Sequence, residues 1–456
     1  MLISKVAKRV WIAGSAAVAL GCGAGTGPEE SIGASSSALT LNSVTRESLD
    51  NQGRQGNGAS TTPFISGNQR FVAFQSNANI WASNIDTNGT TDIYLKDRQT
   101  GAITLVSQAN GVVGNGASFN PSVSDDGRVA FESNATNLAR SAIGPFAAIL
   151  VRNTDGTIVR VDANAQGQVA NGPSTRPQIS GDGFSVVFQS DATNLVANDT
   201  NAATDVFVGT PGGFGVDRVS HPTFSSQANG RSFDGSIGFD GRFVAFASDA
   251  TNLTGNDNNG ATDVFGRDRR GSGATVALSF TLTPAFAMGN GASTLPQISS
   301  DGHWVSFRSL ATNFGAVDTN GVADIYLNAI GSGSVPTLVS VSSSGAEANG
   351  TSFQSTVSTN AKAVAFVSAA TNLVANDNNR FPDVFVHDQT TGQTIRVQRD
   401  PSTPPDGSPL VNSSMRFSGN PASPSFSFLA FDSQATNLVF GDSNLVADVF
   451  TASLSL

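Results

Sequence analysis

The chain of 456 residues predicts an all-β fold, a seven-bladed β-propeller of four-stranded blades, on three observations. The segment Asp199-Thr-Asn-Ala-Ala-Thr-Asp205 has counterparts beginning at Asp86, Asp257, Asp318, Asp377 and Asp442, mostly spaced by roughly one blade of about 60 residues. Composition agrees: 48 Gly, only 13% charged residues and many Ser, Thr and Asn describe a turn-rich β protein. Strand starts number seven, and a spare strand at the amino-terminal side is placed to complete the last blade. Phe, at 30 residues against 2 Tyr and 3 Trp, is the expected core aromatic.

In chain order, Lys5, Lys8 and Arg9 precede an apolar run from Val10 to Leu20, too short to span a membrane comfortably and followed by small residues, as in a signal peptide. The run ends in Ala19-Leu20-Gly21-Cys22, which resembles the lipobox of bacterial lipoproteins, whose cysteine becomes the lipidated first residue. That resemblance implies a signal peptide over 1–22, a lipid anchor on Cys22 and, with Gly23 rather than Asp next, the outer membrane or cell surface. The other reading is an ordinary signal peptide in which Cys22, the only cysteine, is incidental. Residues 23–38, rich in Gly, Ser and Ala, read as a flexible tether, and 39–456 as the propeller, stable without an internal disulfide and expected to be monomeric.

Each repeat opens with a short strand and a turn such as Pro177-Gln-Ile-Ser-Gly-Asp-Gly183, where Asp-Gly suits a tight turn. A second strand alternates with period two, as in Phe184-Ser-Val-Val-Phe188. Ala-Thr-Asn-Leu and the acidic loop follow, then a third strand of the Asp205-Val-Phe207 type and a fourth such as Ile103-Thr-Leu-Val-Ser107. A return loop carries Asn-Gly-x-Ser, with Asn at 57, 115, 171, 229, 290 and 349 and a degenerate seventh at Asn412. This segment reads as a turn with positive φ at Gly and Ser bonded to backbone, or else as a ring of ligand contacts. First strands are placed near Pro63, Pro121, Pro177, Gly235, Pro296, Ser355 and Pro421; Leu39 to Val44 is the strand expected to close the ring. The second repeat departs, with Ala139-Arg-Ser-Ala-Ile-Gly-Pro-Phe-Ala-Ala148 where the acidic loop should stand.

The candidate metal residues are those of the acidic loops: Asp86, Asn88 and Asp92; Asp199, Asn201 and Asp205; Asp257, Asn259 and Asp263; Asp318, Asn320 and Asp324; Asp377, Asn379 and Asp383; Asp442, Asn444 and Asp448. Calcium takes about six to eight oxygens, and a loop that folds back can direct these side chains inward. The string resembles the start of EF-hand and dockerin calcium loops, but the copy at Asp199 has Thr210 where those carry a bidentate Glu. The competing reading makes Asp and Asn turn caps, the last Asp fixing the third strand by accepting backbone N–H bonds. Acidic loops and Asn-Gly-x-Ser turns share one rim by propeller topology, and that rim is the better binding face.

A net charge of −10 disfavours nucleic acid, which needs clustered Lys and Arg. No Gly-x-Ser-x-Gly elbow occurs, and His221, His303 and His387 follow different strands and need not meet. The segments quoted from Pro177 to Phe207, repeated from about Pro63 to Phe450, resemble the WD40-like repeats of the TolB type, called PD40. The resemblance implies the propeller fold and leaves activity open, since such propellers serve as scaffolds and as enzyme domains. The expectation is a lipid-anchored, non-catalytic scaffold for a protein or glycan partner at the cell envelope, with calcium in the acidic loops. The rival is a glycosidase or lyase using channel carboxylates. A scaffold predicts near-equivalent blades; an enzyme predicts unique polar groups at the axis, first sought at Arg140 and Phe146.

Overall fold

Alternation along a strand sends successive side chains to opposite faces, and in this chain both faces of the middle strands are buried. The computed structural model describes residues 38–81, 86–139, 145–225, 227–270, 273–282, 287–315, 318–400, 402–410, 415–419 and 426–455. Blade 1 contains Ser60–Ile65, Phe71–Ser76, Asp92–Asp97 and Ile103–Leu105, paired antiparallel in that order. Blades 2 to 6 repeat it, with first strands Ser118–Val123, Ser174–Ile179, Ser232–Ile237, Ser293–Ile298 and Ser352–Val357. Blade 7 is Arg416–Phe417, Phe426–Ser433 and Asp448–Ser455, completed by Thr40–Arg46 from the amino-terminal side. Thr45 pairs with Thr451 and Arg46 with Phe450, so the expected closing strand is in place.

The core lies between blades rather than within one. Seven apolar clusters each draw on two neighbouring blades: Val187 and Val206 of blade 3 meet Val244 and Phe246 of blade 4, and Ala430 and Val449 of blade 7 meet Phe74 and Tyr94 of blade 1. The circuit is therefore closed by packing as well as by hydrogen bonds. Within a blade a ring on the second strand stacks on one from the third, as Phe188 on Phe207 at 5.9 Å and Phe366 on Phe385 at 5.8 Å, which explains the abundance of Phe.

Several details differ from the sequence reading. First strands begin at the Ser of Asn-Gly-x-Ser, so Pro63, Pro121, Pro177, Gly235 and Pro296 sit inside them, at a β-bulge. The Gly of that motif does not adopt positive φ. Its role is close approach: a Cβ on Gly58 would lie 2.7 Å from the Asn77 backbone, and one on Gly230 2.8 Å from the Asp249 carbonyl. The motif's Ser meets the Ser ending the second strand, as Ser60 Oγ with Ser76 Oγ at 3.0 Å, buried. In blade 7 this place is taken by Asp406-Gly407, Asp406 accepting from the Thr436 amide at 2.6 Å. Asn412 and Pro421 lie outside the described residues, as do Cys22, Arg140 and the segment 1–37. The Asp-Gly turns behave as expected, with φ of +77° at Gly183 and +78° at Gly302.

Candidate functional site

The acidic loop is first a lock on the third strand. In blade 1, Asp92 Oδ1 accepts from Ser107 Oγ at the end of the fourth strand, and that hydroxyl accepts the Ile93 amide at 3.0 Å. Ser220, Ser279 and Ser340 repeat this relay with Asp205, Asp263 and Asp324, and Ser48 repeats it with Asp448 across the ring closure. In these five loops the last Asp therefore fixes the strand through a serine, not by accepting the backbone N–H itself; Asp383 of blade 6, with Gln398 at the serine position, is held instead by Asn379 and Arg396. Blade 2 shows why a relay suffices: Ala148 replaces the aspartate, and Asp162, standing where Ser107 stands, takes the Ile149 amide directly at 3.2 Å.

The loop asparagine closes an Asx turn. Asn259 Oδ1 accepts the Ala261 amide at 2.9 Å, while its Nδ2 donates to Asp263 at 2.8 Å and to the Gly289 carbonyl at 2.7 Å. Asn88, Asn201, Asn320 and Asn379 do the same. Asn444 keeps the turn and donates to the Gly56 carbonyl at 3.2 Å. The nitrogen, not the oxygen, faces the carboxylate in the five blades where both are seen.

The six loops divide by their charge partner. In blade 3, Arg218 Nη1 lies 3.2 Å from both Asp199 and Asp205; in blade 6, Arg396 Nη1 lies 2.9 Å from Asp377 and 3.2 Å from Asp383; in blade 7, Arg46 Nη1 lies 3.4 Å from Asp442 and 3.6 Å from Asp448. Each arginine stands in the fourth strand opposite a Phe of the third: Phe207, Phe385 and Phe450. In blades 1, 4 and 5 that position is Leu105, Ala277 and Leu338, and no guanidinium reaches the carboxylates among the described residues. Opposite Leu105 and Leu338 stand Tyr94 and Tyr326, the only tyrosines of the chain, whose hydroxyls lie 3.5 Å from Asp86 and 3.4 Å from Asp318. Blade 4, with Phe265 and Ala277, has neither device. Burial raises the last aspartate in both groups of loops, Asp263 up to about 7 and Asp92 and Asp324 up to about 6 where no arginine is present, and Asp383 up to about 6 even beside Arg396, which offsets the burial only in part.

The second feature is axial. The bulges hold Thr62, Asn120, Arg176, Asp234 and Leu295 at φ of +50° to +54°, a conformation that for such residues costs about 1–2 kcal/mol each. The preceding blade steadies four of them by accepting the bulge N–H: Asp432 from Thr62 at 2.9 Å, Gln75 from Asn120 at 3.0 Å, Glu132 from Arg176 at 3.1 Å and Gln189 from Asp234 at 3.0 Å. Most of these bulge residues line an axial cavity of about 290 Å³ with Phe64, Gln178, Gln297 and Gln354. It lies toward the first-strand starts, on the acidic-loop side, and narrows beyond to about 20 Å³ beside Arg416 and Gly419, where Ser300 Oγ donates to the Gly419 carbonyl.

Polar groups at the axis differ from blade to blade, and their carboxylates are engaged. Asp234 pairs with Arg176, Glu132 also takes Asn120 Nδ2 at 3.0 Å, and Asp432 takes the Leu410 amide at 3.2 Å. Two donors are less well matched. Gln178 Nε2 is buried without an acceptor among the described residues, its Oε1 taking the Ile237 amide at 3.2 Å. Arg416 stacks 5.0 Å above Phe64 and reaches Gln297 Oε1 at 3.4 Å, with no carboxylate at ion-pair distance among the described residues. Burial depresses it to about 10. Sequence reasoning missed this ring because it looked to the aberrant second loop; Phe146 there is exposed. The residue before Pro or Gly in the first strands of blades 1 to 5 was the available signal. The three histidines stay apart: His221 Nδ1 lies 2.8 Å from the Pro222 carbonyl, His387 Nδ1 2.8 Å from Thr394 Oγ1, and His303 is exposed beside Phe243.

No protein-family model matches the chain, and no curated protein matches it. Among solved structures it is similar to oligogalacturonate lyase from Vibrio parahaemolyticus, at 12% identity over 91% of this chain and 96% of that one with a TM-score of 0.49. It is also similar to TolB from Acinetobacter baumannii, at 13% identity over 74% of this chain and 63% of that one, TM-score 0.38. The β-propeller domain of the Trilobed protease from Pyrococcus furiosus matches at 10% identity over 86% and 95%, TM-score 0.49. The chain is a seven-bladed β-propeller whose structural neighbours include both TolB and enzymes.

Proposed function

We propose that the protein is a non-catalytic binding propeller of the cell envelope, anchored by lipid on Cys22, whose axial pocket receives a carboxylate of a protein or glycan partner. The observation that carries this reading is the pair of under-used donors, Gln178 Nε2 on the wall of the cavity and the Arg416 guanidinium at its narrow end, while the axial carboxylates are already engaged. A planar guanidinium suits a carboxylate, and a buried donor without an acceptor is destabilising by about 1–3 kcal/mol until one arrives. Sodium glucuronate and N-acetylglutamate are therefore expected to raise the melting temperature of the wild type and to leave an Arg416→Met, Gln178→Leu variant unmoved. Equal shifts in both proteins would place binding elsewhere and end this reading. The anchor is tested separately: incorporation of a labelled fatty acid in the native host, lost in Cys22→Ser, is the expected result.

The enzyme reading has one observation in its favour, the unlike axial residues Asn120, Arg176 and Asp234. It requires Asp234 to be released from Arg176 on substrate binding. Turnover of a uronate-containing oligosaccharide that disappears in Asp234→Asn would replace the binding reading by that one.

A further inference from the structure

The three arginine-bridged blades show what lies between the two loop aspartates: one positive charge, roughly at salt-bridge distance from each. Blade 5 departs furthest from them. In blade 3, Asp199 receives both Arg218 and Gln227 Nε2, the latter at 3.1 Å. In blade 5 the arginine position is Leu338, and the position of Gln227, two before the Asn of Asn-Gly-x-Ser, is Glu347. Two donors are gone and a third carboxylate has been added.

Asp318, Asp324 and Glu347 present oxygens all within 4.8 Å of one another. None forms an ion pair with Lys, Arg or His among the described residues, where Asp199 and Asp205, Asp377 and Asp383, Asp442 and Asp448 all do. Asp318 is only 9% exposed, and its Oδ1 is buried and accepts no hydrogen bond among the described residues, as with Asp257 Oδ1 in blade 4 and Asp442 Oδ1 in blade 7, the latter facing Arg46 at 3.4 Å; the Tyr326 hydroxyl touches Asp318 Oδ2 at 3.4 Å. Glu347 is held in place by the Thr319 amide at 3.1 Å and hydroxyl at 2.8 Å. Asp324 keeps the Ser340 and Asn320 contacts, and its counterpart Asp205 carries the same two and still accepts a guanidinium, so capacity remains.

We propose that blade 5 holds a hard divalent cation, calcium, between Asp318, Asp324 and Glu347, in the place that arginine fills in blades 3, 6 and 7. An all-oxygen carboxylate set suits calcium, with backbone carbonyls and water completing the shell. The ion does structurally what Arg218 and Arg396 do, cancelling buried charge and fixing the third strand.

The test uses the full chain stripped with EDTA at pH 7.5, with calcium chloride as the probe. Titration calorimetry is expected to give one equivalent bound, and calcium at a hundredfold excess over its dissociation constant is expected to raise the melting temperature by roughly 3 °C. Glu347→Gln abolishes both. Because that variant alone removes charge, a second keeps the test sharp: Tyr326→Phe with Leu338→Arg transplants the blade 3 solution, and is expected to melt in EDTA at or above the calcium-loaded wild type and to ignore calcium. Calcium uptake that survives both variants overturns the proposal. So does a wild type blind to calcium whose melting temperature rises only on acidification, since the cluster then holds a proton.

Discussion

Replacing Arg46 by leucine is expected to destabilise the protein by about 3 kcal/mol at pH 8, because it strips the cation from two buried carboxylates. Arg46 and Asp442 are each 3% exposed in their side chains and Asp448 1%, so water does little to compensate. Burial already raises both aspartates, and Arg46 is among the groups that lower them. Without it they rise further, and a carboxyl with a raised folded pKa loses stability as pH climbs through that value. The deficit is therefore expected to shrink from pH 8 toward pH 5 in urea unfolding. Blades 1 and 5 supply the rescue, since they live with leucine at this position by placing Tyr opposite it. Phe450 is the residue opposite Arg46, and adding Phe450→Tyr should recover part of the loss. Unfolding curves for Arg46→Leu that match wild type at pH 8 would remove the arginine from the account of these loops.

Blade 4 carries the second large effect. Asp263 is pushed up to about 7 by burial, with Ser279 and Asn259 offsetting it only in part and Asp257 adding repulsion. Its folded value lies above the unfolded one, so its contribution is fully present below about pH 4 and is lost as pH rises toward and through 7. A tenfold change in proton affinity corresponds to about 1.4 kcal/mol, which gives roughly 2–4 kcal/mol for this carboxyl after relaxation. Ala277→Arg should reduce that slope without abolishing it, since Ala277 stands opposite Phe265 as Arg218 stands opposite Phe207 and Arg396 opposite Phe385, and Asp383 beside Arg396 is still raised to about 6. In EDTA the wild type is expected to weaken steadily from pH 5 to pH 8, and the variant to gain about 2 kcal/mol over it at pH 8 with little difference at pH 4.5. A variant that runs parallel to wild type across the whole range would mean that Asp263 is not the source of the slope.

The ring was legible because its determinants are local and repeated. Asp-Gly turns, alternating strands and the Asn-Gly-x-Ser spacing each recur, and the missing fourth strand of blade 7 left Leu39 to Val44 as its complement. The mechanics of the motifs were less legible. Gly58 and its counterparts are required by a backbone that passes too close for a Cβ, a tertiary fact that no turn rule contains. The charge balance of the loops was hidden for a similar reason. Arg218 and Arg396 lie 13 residues beyond Asp205 and Asp383 in the same blade, but Arg46 and Asp448 lie at opposite ends of the chain, and only strand register shows them to be one position. The axial residues were hidden by the bulge, which turns Arg176 and Asp234 to the centre in strands that read from sequence as plain alternation.

Every site above depends on the ring being sealed by Thr40–Arg46 against Asp448–Ser455, and amide hydrogen exchange measures that seal directly. Peptides covering 40–46 and 448–455 are predicted to exchange together, as slowly as the middle strands Phe188 and Phe246 occupy. Exchange of 40–46 at the rate of an unfolded chain, with the other six blades still protected, would contradict a closed propeller.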